Sequence, residues 1–194
     1  MTKKRTLIHI DVETLGLTSK CVTTQLAALG IDMDDPEAER REVEEYLPIQ
    51  PQLTLGRTID ASTLLYWLGP KVSEDARLRF QRSSGDDMDE LTALVQSFHS
   101  KVTRLIDEAT YYEVWARGPQ FDINIIESLF NDLGLAAPWA YDRIFDLRTT
   151  MNLAGVDKRE VTPRAGLIPH VALHDCKYQA DCYDEAMRRL RAKV

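Results

Sequence analysis

The chain has 194 residues, of which 44% are hydrophobic and 28% are charged, and its formal net charge is −7. These values are ordinary for a soluble globular protein and predict one domain over residues 1–194. No stretch reaches the roughly 18 apolar residues of a membrane span, and the N-terminal residues lack the apolar core of a signal peptide, so no membrane partner is expected. Three scattered cysteines without a CxxC pair favour a reducing compartment, and the sequence predicts a cytoplasmic protein.

The negative charge is concentrated in one segment. Residues 32–45 contain eight acidic residues and two arginines, so the other 180 residues have a net charge of only −1. Basic clusters occur at residues 3–5 and 188–193. The overall negative charge therefore does not exclude a nucleic-acid partner.

Three strands are predicted in the N-terminal part, over residues 5–11, 22–33 and 42–50. We expect them to form an antiparallel meander, with the acidic segment at one hairpin. From Asp60 onward the apolar residues follow helical spacing, which predicts helices over residues 61–68, 73–80 and 88–108.

The C-terminal part alternates between strand and helix patterns. A buried strand is predicted over residues 111–116, and a helix over residues 122–134 that Gly134 ends. An irregular linker at 156–169 precedes a last helix from about Val171 to Arg191. Three strands, then helices, a strand and more helices predict a mixed α/β domain.

Two acidic residues lie where the first predicted strand ends, in the segment IHIDVETLG. Asp11 is the last residue of that strand, and Glu13 follows two positions later. Residues i and i+2 of an extended chain point to the same side, so both carboxylates should face one location. Two such charges repel each other unless a cation lies between them, and divalent cations such as Mg²⁺ prefer carboxylate oxygens. The alternative is a strand end whose acidic residues face solvent.

Three more acidic residues lie at the ends of predicted elements. Asp122 follows the strand at 111–116, where an N-cap would also explain it. Asp175 lies in the first turn of the last helix, beside its apolar stripe, where the positive end of the helix would also explain it. Asp146 is a fifth candidate, but N-capping of the next helix explains it better.

The acidic segments together resemble the three motifs of the DEDDh 3′→5′ exonucleases of the ribonuclease H-like fold. IDVETLG resembles the first motif, FDINI the second, and HVALHD matches the HxAxxD motif through His170, Ala172 and Asp175. The segments TLLYWL, VWARGPQFD and DLRTT are similar to the phage exonuclease A and exonuclease VIII branch. The resemblance covers about residues 5–188. It implies a mixed sheet, with a three-strand antiparallel meander and parallel strands, flanked by helices.

The resemblance also implies the roles of five residues. Asp11, Glu13, Asp122 and Asp175 would hold two divalent cations, Mg²⁺ or Mn²⁺, and His170 would be the general base. The two ions would act on the attacking and leaving oxygens at phosphorus, and a 5′-mononucleotide would leave the 3′ end.

A second histidine, His174, lies four residues after His170. From its position on the last helix, we expect it to face away from the sheet and to be dispensable.

Four other residues are candidates for contacts with the substrate. Thr14, Leu15 and Gly16 follow the first motif and, by the same resemblance, would contact the terminal nucleotide; a plain turn at Gly16 is the alternative. Trp67, with its neighbour Tyr66, is a candidate for stacking on bases, although its helical spacing favours a place in the core.

The sequence thus predicts a metal-dependent 3′→5′ exonuclease that acts on single-stranded DNA or RNA with a free 3′ end. DNA is slightly favoured, an exoribonuclease of the same family is the main alternative, and a homodimer is left open. A haloacid dehalogenase-type phosphatase is a weaker alternative, because Glu13 replaces the second Asp of its DxD motif. A catalytically silent nucleic-acid-binding protein should have lost one of the five site residues, and none is missing.

Overall fold

The computed structural model describes residues 4–35 and 38–193. Two residues of the acidic segment, 36 and 37, and Lys3 of the first basic cluster lie outside the described residues. Within the described part of the chain, no helix combines the length and apolarity needed to cross a membrane. The three cysteines are all buried and free.

The sheet consists of five strands: β1 (Arg5–Thr14), β2 (Thr23–Asp32), β3 (Arg41–Tyr46), β4 (Tyr111–Ala116) and β5 (Ile144–Asp146). Their order across the sheet is β3-β2-β1-β4-β5. β2 is antiparallel to both β1 and β3, whereas β4 is parallel to both β1 and β5. The predicted combination of an antiparallel meander with parallel strands is confirmed.

Seven α-helices are found in the described ranges: α1 (Ile49–Thr54), α2 (Ala61–Leu68), α3 (Glu74–Phe80), α4 (Met88–Asp107), α5 (Pro119–Asp132), α6 (Leu147–Ala154) and α7 (Ala172–Arg191). α4 and α5 pack on one face of the sheet, and α6 and α7 pack on the other. The sheet is therefore covered on both faces, as the sequence predicts.

Alternation along β1 decides where its side chains point. Ile8, Ile10 and Val12 belong to the core between the sheet and the helices α4 and α5. Leu7 packs on the opposite face, against α6 and α7. Because successive residues of a strand alternate between faces, the odd-numbered Asp11 and Glu13 project on the α7 face.

Three of the predicted boundaries are wrong. The first strand continues to Thr14, three residues beyond its predicted end. The third strand ends at Tyr46 instead of residue 50, because Pro48 has no N–H for the strand ladder and the chain then turns into α1. α5 begins at Pro119, three residues before the predicted start, with Gly118 as its N-cap. Proline is well suited to a first helical position, since the N–H that it lacks would have no partner there.

Candidate active site

The first two carboxylates of the site come from the last residues of β1. The Asp11 Oδ1 atom accepts a hydrogen bond of 2.7 Å from the Nε2 of Gln179, a residue of α7 that is 4% exposed. Glu13 lies against Asp175, at the start of the same helix. Gln179 was not predicted from the sequence. Its spacing of four residues from Asp175 is the signal that places both on one face of α7.

Asp122 reaches the site from the first turn of α5. Its backbone N–H donates to the Gly118 carbonyl at 3.1 Å, so it lies inside the helix and is not the N-cap. The residue is only 7% exposed. Burial raises the pKa of the Asp122 carboxyl to about 7, against the opposing effect of the nearby backbone N–H groups of Val12 and Gly118.

His170 and Asp175 lie on either side of the start of α7. The His170 N–H donates to the Asp175 Oδ2 at 3.0 Å, and its ring Nε2 lies 2.7 Å from the Tyr66 hydroxyl. His170 has a φ of 65°, in the left-handed region. Histidine enters this region more readily than most residues, and the conformation bends the chain so that the His170 N–H faces the carboxylate that follows.

The four carboxylates share one poorly solvated space. Burial and the charges of neighbouring carboxylates raise the pKa values of Asp11 and Glu13 well above their ordinary range. Burial likewise raises the pKa of Asp175, against the opposing effect of His170. Burial therefore acts on all four acidic groups, and repulsion by neighbouring carboxylates acts on Asp11 and Glu13 in addition.

The donor atoms of this site suit a hard divalent cation. Glu13, His170 and Asp175 each offer a ligand atom, and these three atoms lie within 4.8 Å of one another. Carboxylate oxygens are the ligands that Mg²⁺ and Mn²⁺ prefer. A cation held among them would also relieve the repulsion that raises their pKa values.

The three residues after Glu13 are buried in the structure. The Thr14 hydroxyl donates to the Gly16 carbonyl at 2.8 Å, and Leu15 is only 1% exposed. A Cβ added to Gly16 would lie 2.7 Å from the Cβ of Cys21, so close packing explains this glycine. The Leu15 side chain belongs to the core beneath the site, and the predicted contact of this residue with the terminal nucleotide stays a prediction.

Trp67 also lies in this core and not on an open surface. It is 3% exposed, its Nε1 donates to the Thr14 carbonyl at 3.0 Å, and its ring stacks on Phe80. The structure thus places most of the Trp67 side chain in the core, the alternative that its helical spacing favours, and stacking of Trp67 on a base stays a prediction. The structure leaves its neighbour Tyr66 half-exposed beside His170.

A cavity of about 410 Å³ opens between Glu13 and His170. Its rim carries Leu17, which is 72% exposed, together with Tyr66 and Phe121. Leu17 was not predicted as a site residue, because a single apolar residue in a turn gives no signal in the sequence.

His174 differs from His170 in its surroundings. Its Nδ1 accepts the Ile168 N–H at 3.0 Å, so its ring braces the segment that leads to His170. Burial and the positive charges of Arg79 and Lys177 lower the pKa of His174. This contact was not predicted, because helical spacing alone does not show what packs against a helix from a loop, and the dispensability of His174 stays a prediction.

Two solved structures of nucleases share this fold. The nuclease domain of 3′hExo, described as a DEDDh family member bound to rAMP, superposes with a TM-score of 0.59 at 13% identity, over 96% of this chain and 92% of that one. Cell-death related nuclease 4 (CRN-4) superposes with a TM-score of 0.51 at 16% identity, over 95% of this chain and 64% of that one. The class of fold is therefore ribonuclease H-like.

A comparison of the sequence with models of protein families identifies the family of the chain. The model of the Rv2179c-like 3′-5′ exoribonuclease domain matches residues 6–187, nearly the whole chain, and the chain belongs to this family. No curated protein matches the chain significantly in sequence. With its fold and its family in agreement, the chain is a 3′→5′ exonuclease.

Proposed function

We propose that this exonuclease shortens single-stranded RNA from a free 3′ end and releases 5′-mononucleotides. The observation that carries the proposal is the convergence of Asp11, Glu13, Asp122, Asp175 and His170 from separate segments at the end of β1. The family description favours RNA over DNA, and so does the 3′hExo nuclease domain with its bound rAMP. The sequence alone favours DNA only slightly, and neither of these two comparisons adds support to that preference.

We infer that the four carboxylates hold two divalent cations, Mg²⁺ or Mn²⁺. When bound, such cations lower the pKa of a water molecule and stabilise the charge that develops on the leaving 3′ oxygen. The chain supplies four acidic groups in an enclosed site, and Gln179 fixes the orientation of the Asp11 carboxylate through its hydrogen bond. This second contact limits the rotation of a ligand group, as is usual around metal sites.

In this proposal His170 removes the proton of the attacking water. Its Nε2 faces the cavity side of the site, where the Tyr66 hydroxyl is its partner. The hydrogen bond from the His170 N–H to Asp175 ties the backbone of the base to a carboxylate of the cluster. The imidazole can therefore turn about its side-chain bonds while its backbone stays in place.

We assign the cavity beside Glu13 and His170 to the terminal nucleoside. Its exposed Leu17 and half-exposed Tyr66 offer apolar and aromatic surface to a base, and the largely buried Trp67 forms part of the cavity wall. Thr14 and Gly16 contribute to this site through the turn that they shape.

The RNA preference is tested with RNA and DNA strands of one sequence, each labelled at the 5′ end, in separate reactions with Mg²⁺ and with Mn²⁺. We expect kcat/KM to be higher for RNA with both ions. A higher value for DNA would overturn the assignment of substrate, although not that of the reaction. The single-domain organisation, the homodimer and the cytoplasmic location stay predictions.

A further inference from the structure

A groove on the side of the site away from Leu17 carries an unusual set of positive charges. One cavity, of about 310 Å³, extends from Asp11, His170 and Asp175 to Arg117 and Lys158. A second cavity, of about 430 Å³, shares Arg117 and Lys158 and continues to Arg148. The shared residues make the two cavities one continuous path, which we call the cationic groove.

The three cations of the cationic groove come from separate segments of the chain. Arg117 follows β4, Arg148 lies in the first turn of α6, and Lys158 lies in the linker before α7. The three residues lie far apart in the sequence, so no basic cluster predicts that they come together. The parallel pairing of β4 with β5 brings the first two segments to the same edge of the sheet.

These three side chains have no carboxylate partner among the residues that the structure describes. The one acidic residue along the outer part of the groove, Asp157, is paired with Arg159. The groove therefore holds three cations outside any ion pair of the described residues, although Arg148 and Lys158 lie close enough to Asp122 and Asp175 to oppose the effect of burial and lower the pKa values of those carboxyls.

The two basic clusters identified in the sequence differ from the groove, because several of their cations form ion pairs. In the first cluster, Arg5 pairs with Asp34. In the second, Arg188 and Arg189 both pair with Glu185. Ion pairs thus engage several cations of these two clusters, whereas none among the described residues engages the three cations of the groove beside the active site.

We propose that the cationic groove binds the backbone phosphates of the nucleotides 5′ of the scissile bond. The proposal rests on the proposed function, because it takes the terminal nucleoside to lie on the apolar Leu17 side of the carboxylates. The strand then crosses the carboxylates and continues over Arg117, Lys158 and Arg148. Contacts to phosphate fix the register of a strand without reading its sequence, as suits a nuclease that removes one nucleotide after another.

Binding along this path should depend on the length of the strand. A dinucleotide has only the scissile phosphate, so it leaves the groove empty, whereas a twelve-nucleotide strand fills it. Each phosphate neutralised on a single strand contributes about 0.7 to the slope of log affinity against log salt concentration. Removing two side chains that each neutralise one phosphate should therefore reduce the slope by about 1.4.

The test compares Arg148→Ala/Lys158→Ala with the wild type on both substrates. Both side chains are exposed, so the replacements leave the core intact. For the twelve-nucleotide strand in 0.1 M KCl, kcat/KM should fall on the order of tenfold, and its salt slope should become shallower by about 1.4. The loss on the dinucleotide should be much smaller.

Arg104→Ala/Arg191→Ala makes the same change in net charge on α4 and at the end of α7, outside the groove, and should leave both rates unchanged. Equal losses on the two substrates, or no change in salt slope, would overturn the proposal. A wild-type protein that cleaves neither substrate would instead refute the proposed function. Fluorescence anisotropy of the labelled twelve-nucleotide strand with the same variants then tests the groove without turnover.

Discussion

The surroundings of His170 suit the proton transfer that we propose for it. Its ring Nε2 lies 2.7 Å from the Tyr66 hydroxyl, and a phenol hydroxyl can donate to an imidazole nitrogen that has a lone pair. In the proposed reaction the same nitrogen would receive the proton of the water molecule.

His170→Ala should lower the single-turnover rate by about 10²–10⁴-fold, the usual contribution of a general base. The carboxylates do not depend on the imidazole for their positions, so the binding of divalent ions should change little. The measurement is single-turnover cleavage of a labelled strand, with metal affinity determined in parallel by titration.

The comparison with His174 makes this prediction specific. His174→Ala removes the acceptor for the Ile168 N–H, a hydrogen bond that contributes about 1 kcal/mol, and should slow turnover by no more than about tenfold. His174→Asn places a carbonyl oxygen near the position of Nδ1 and should recover most of the loss. A larger loss for His174→Ala than for His170→Ala would refute the assignment of the base.

At the scale of elements, a side chain accepts hydrogen bonds from backbone N–H groups at the start of both α7 and α6. Gln25 of β2 accepts the Ala172 N–H at 3.1 Å and so caps α7 from a distant strand. Asp146 caps α6 locally, since its carboxylate accepts the N–H groups of Arg148 and Thr149. The N-cap role that the sequence favours for Asp146 is confirmed.

Asp146→Ala should therefore reduce stability and leave the chemistry unchanged. Loss of an N-cap lowers the free energy of unfolding by about 1 kcal/mol. Denaturation in urea measures the loss, and the specific activity of the folded variant should match that of the wild type. Asp146→Ser retains a capping oxygen and should recover most of the stability. A stable but inactive Asp146→Ala protein would place Asp146 in the active site.

Local patterns in the sequence were sufficient for most of the elements and placed the four acidic residues of the site at the ends of elements. β1, β4 and α7 have clear apolar periodicity, and Asp11, Glu13, Asp122 and Asp175 lie at the ends of such segments. The pattern failed at α1, where two prolines interrupt a short segment whose conformation depends on its surroundings.

Interactions between distant segments could not be predicted in this way. Gln179 and Asp11 are separated by 168 positions, and Tyr66 and His170 by 104. The burial of Leu15 and Trp67 likewise follows from packing between loops, which a motif does not describe. Resemblance identified the reacting groups, whereas the residues that orient them became visible only in the fold.

At the scale of the whole molecule, the raised pKa values of the buried carboxyls make the free energy of unfolding depend on pH. An acidic group whose pKa is raised by folding binds more protons in the folded state than in the unfolded state. Its favourable contribution is complete below the unfolded pKa and is lost as the pH rises through the folded pKa. For Asp122 this interval extends from about 4 to about 7.

Protein freed of metal should therefore lose thermal stability as the pH rises from 4 to 7. The Asp122→Asn variant should lose less stability over the same interval. Mg²⁺ or Mn²⁺ should raise the melting temperature at pH 7.5, because the ions bind only the folded state. Differential scanning calorimetry across this pH range measures both effects. Asp86→Asn, which removes an exposed carboxylate in a loop, is the matched control and should keep the wild-type pH dependence. An Asp122→Asn protein with that same dependence would contradict the account of the cluster.

The most direct test of the central claim is cleavage of a 5′-labelled RNA strand resolved to single nucleotides. With Mn²⁺ and a free 3′ hydroxyl, wild-type protein should yield a ladder that shortens from the 3′ end, with 5′-mononucleotides as the unlabelled product. Excess EDTA, a blocked 3′ end or the substitution Asp11→Asn should each stop the reaction. Equal degradation of the 3′-blocked strand, or undiminished cleavage in EDTA, would contradict a metal-dependent 3′→5′ exonuclease built on these carboxylates.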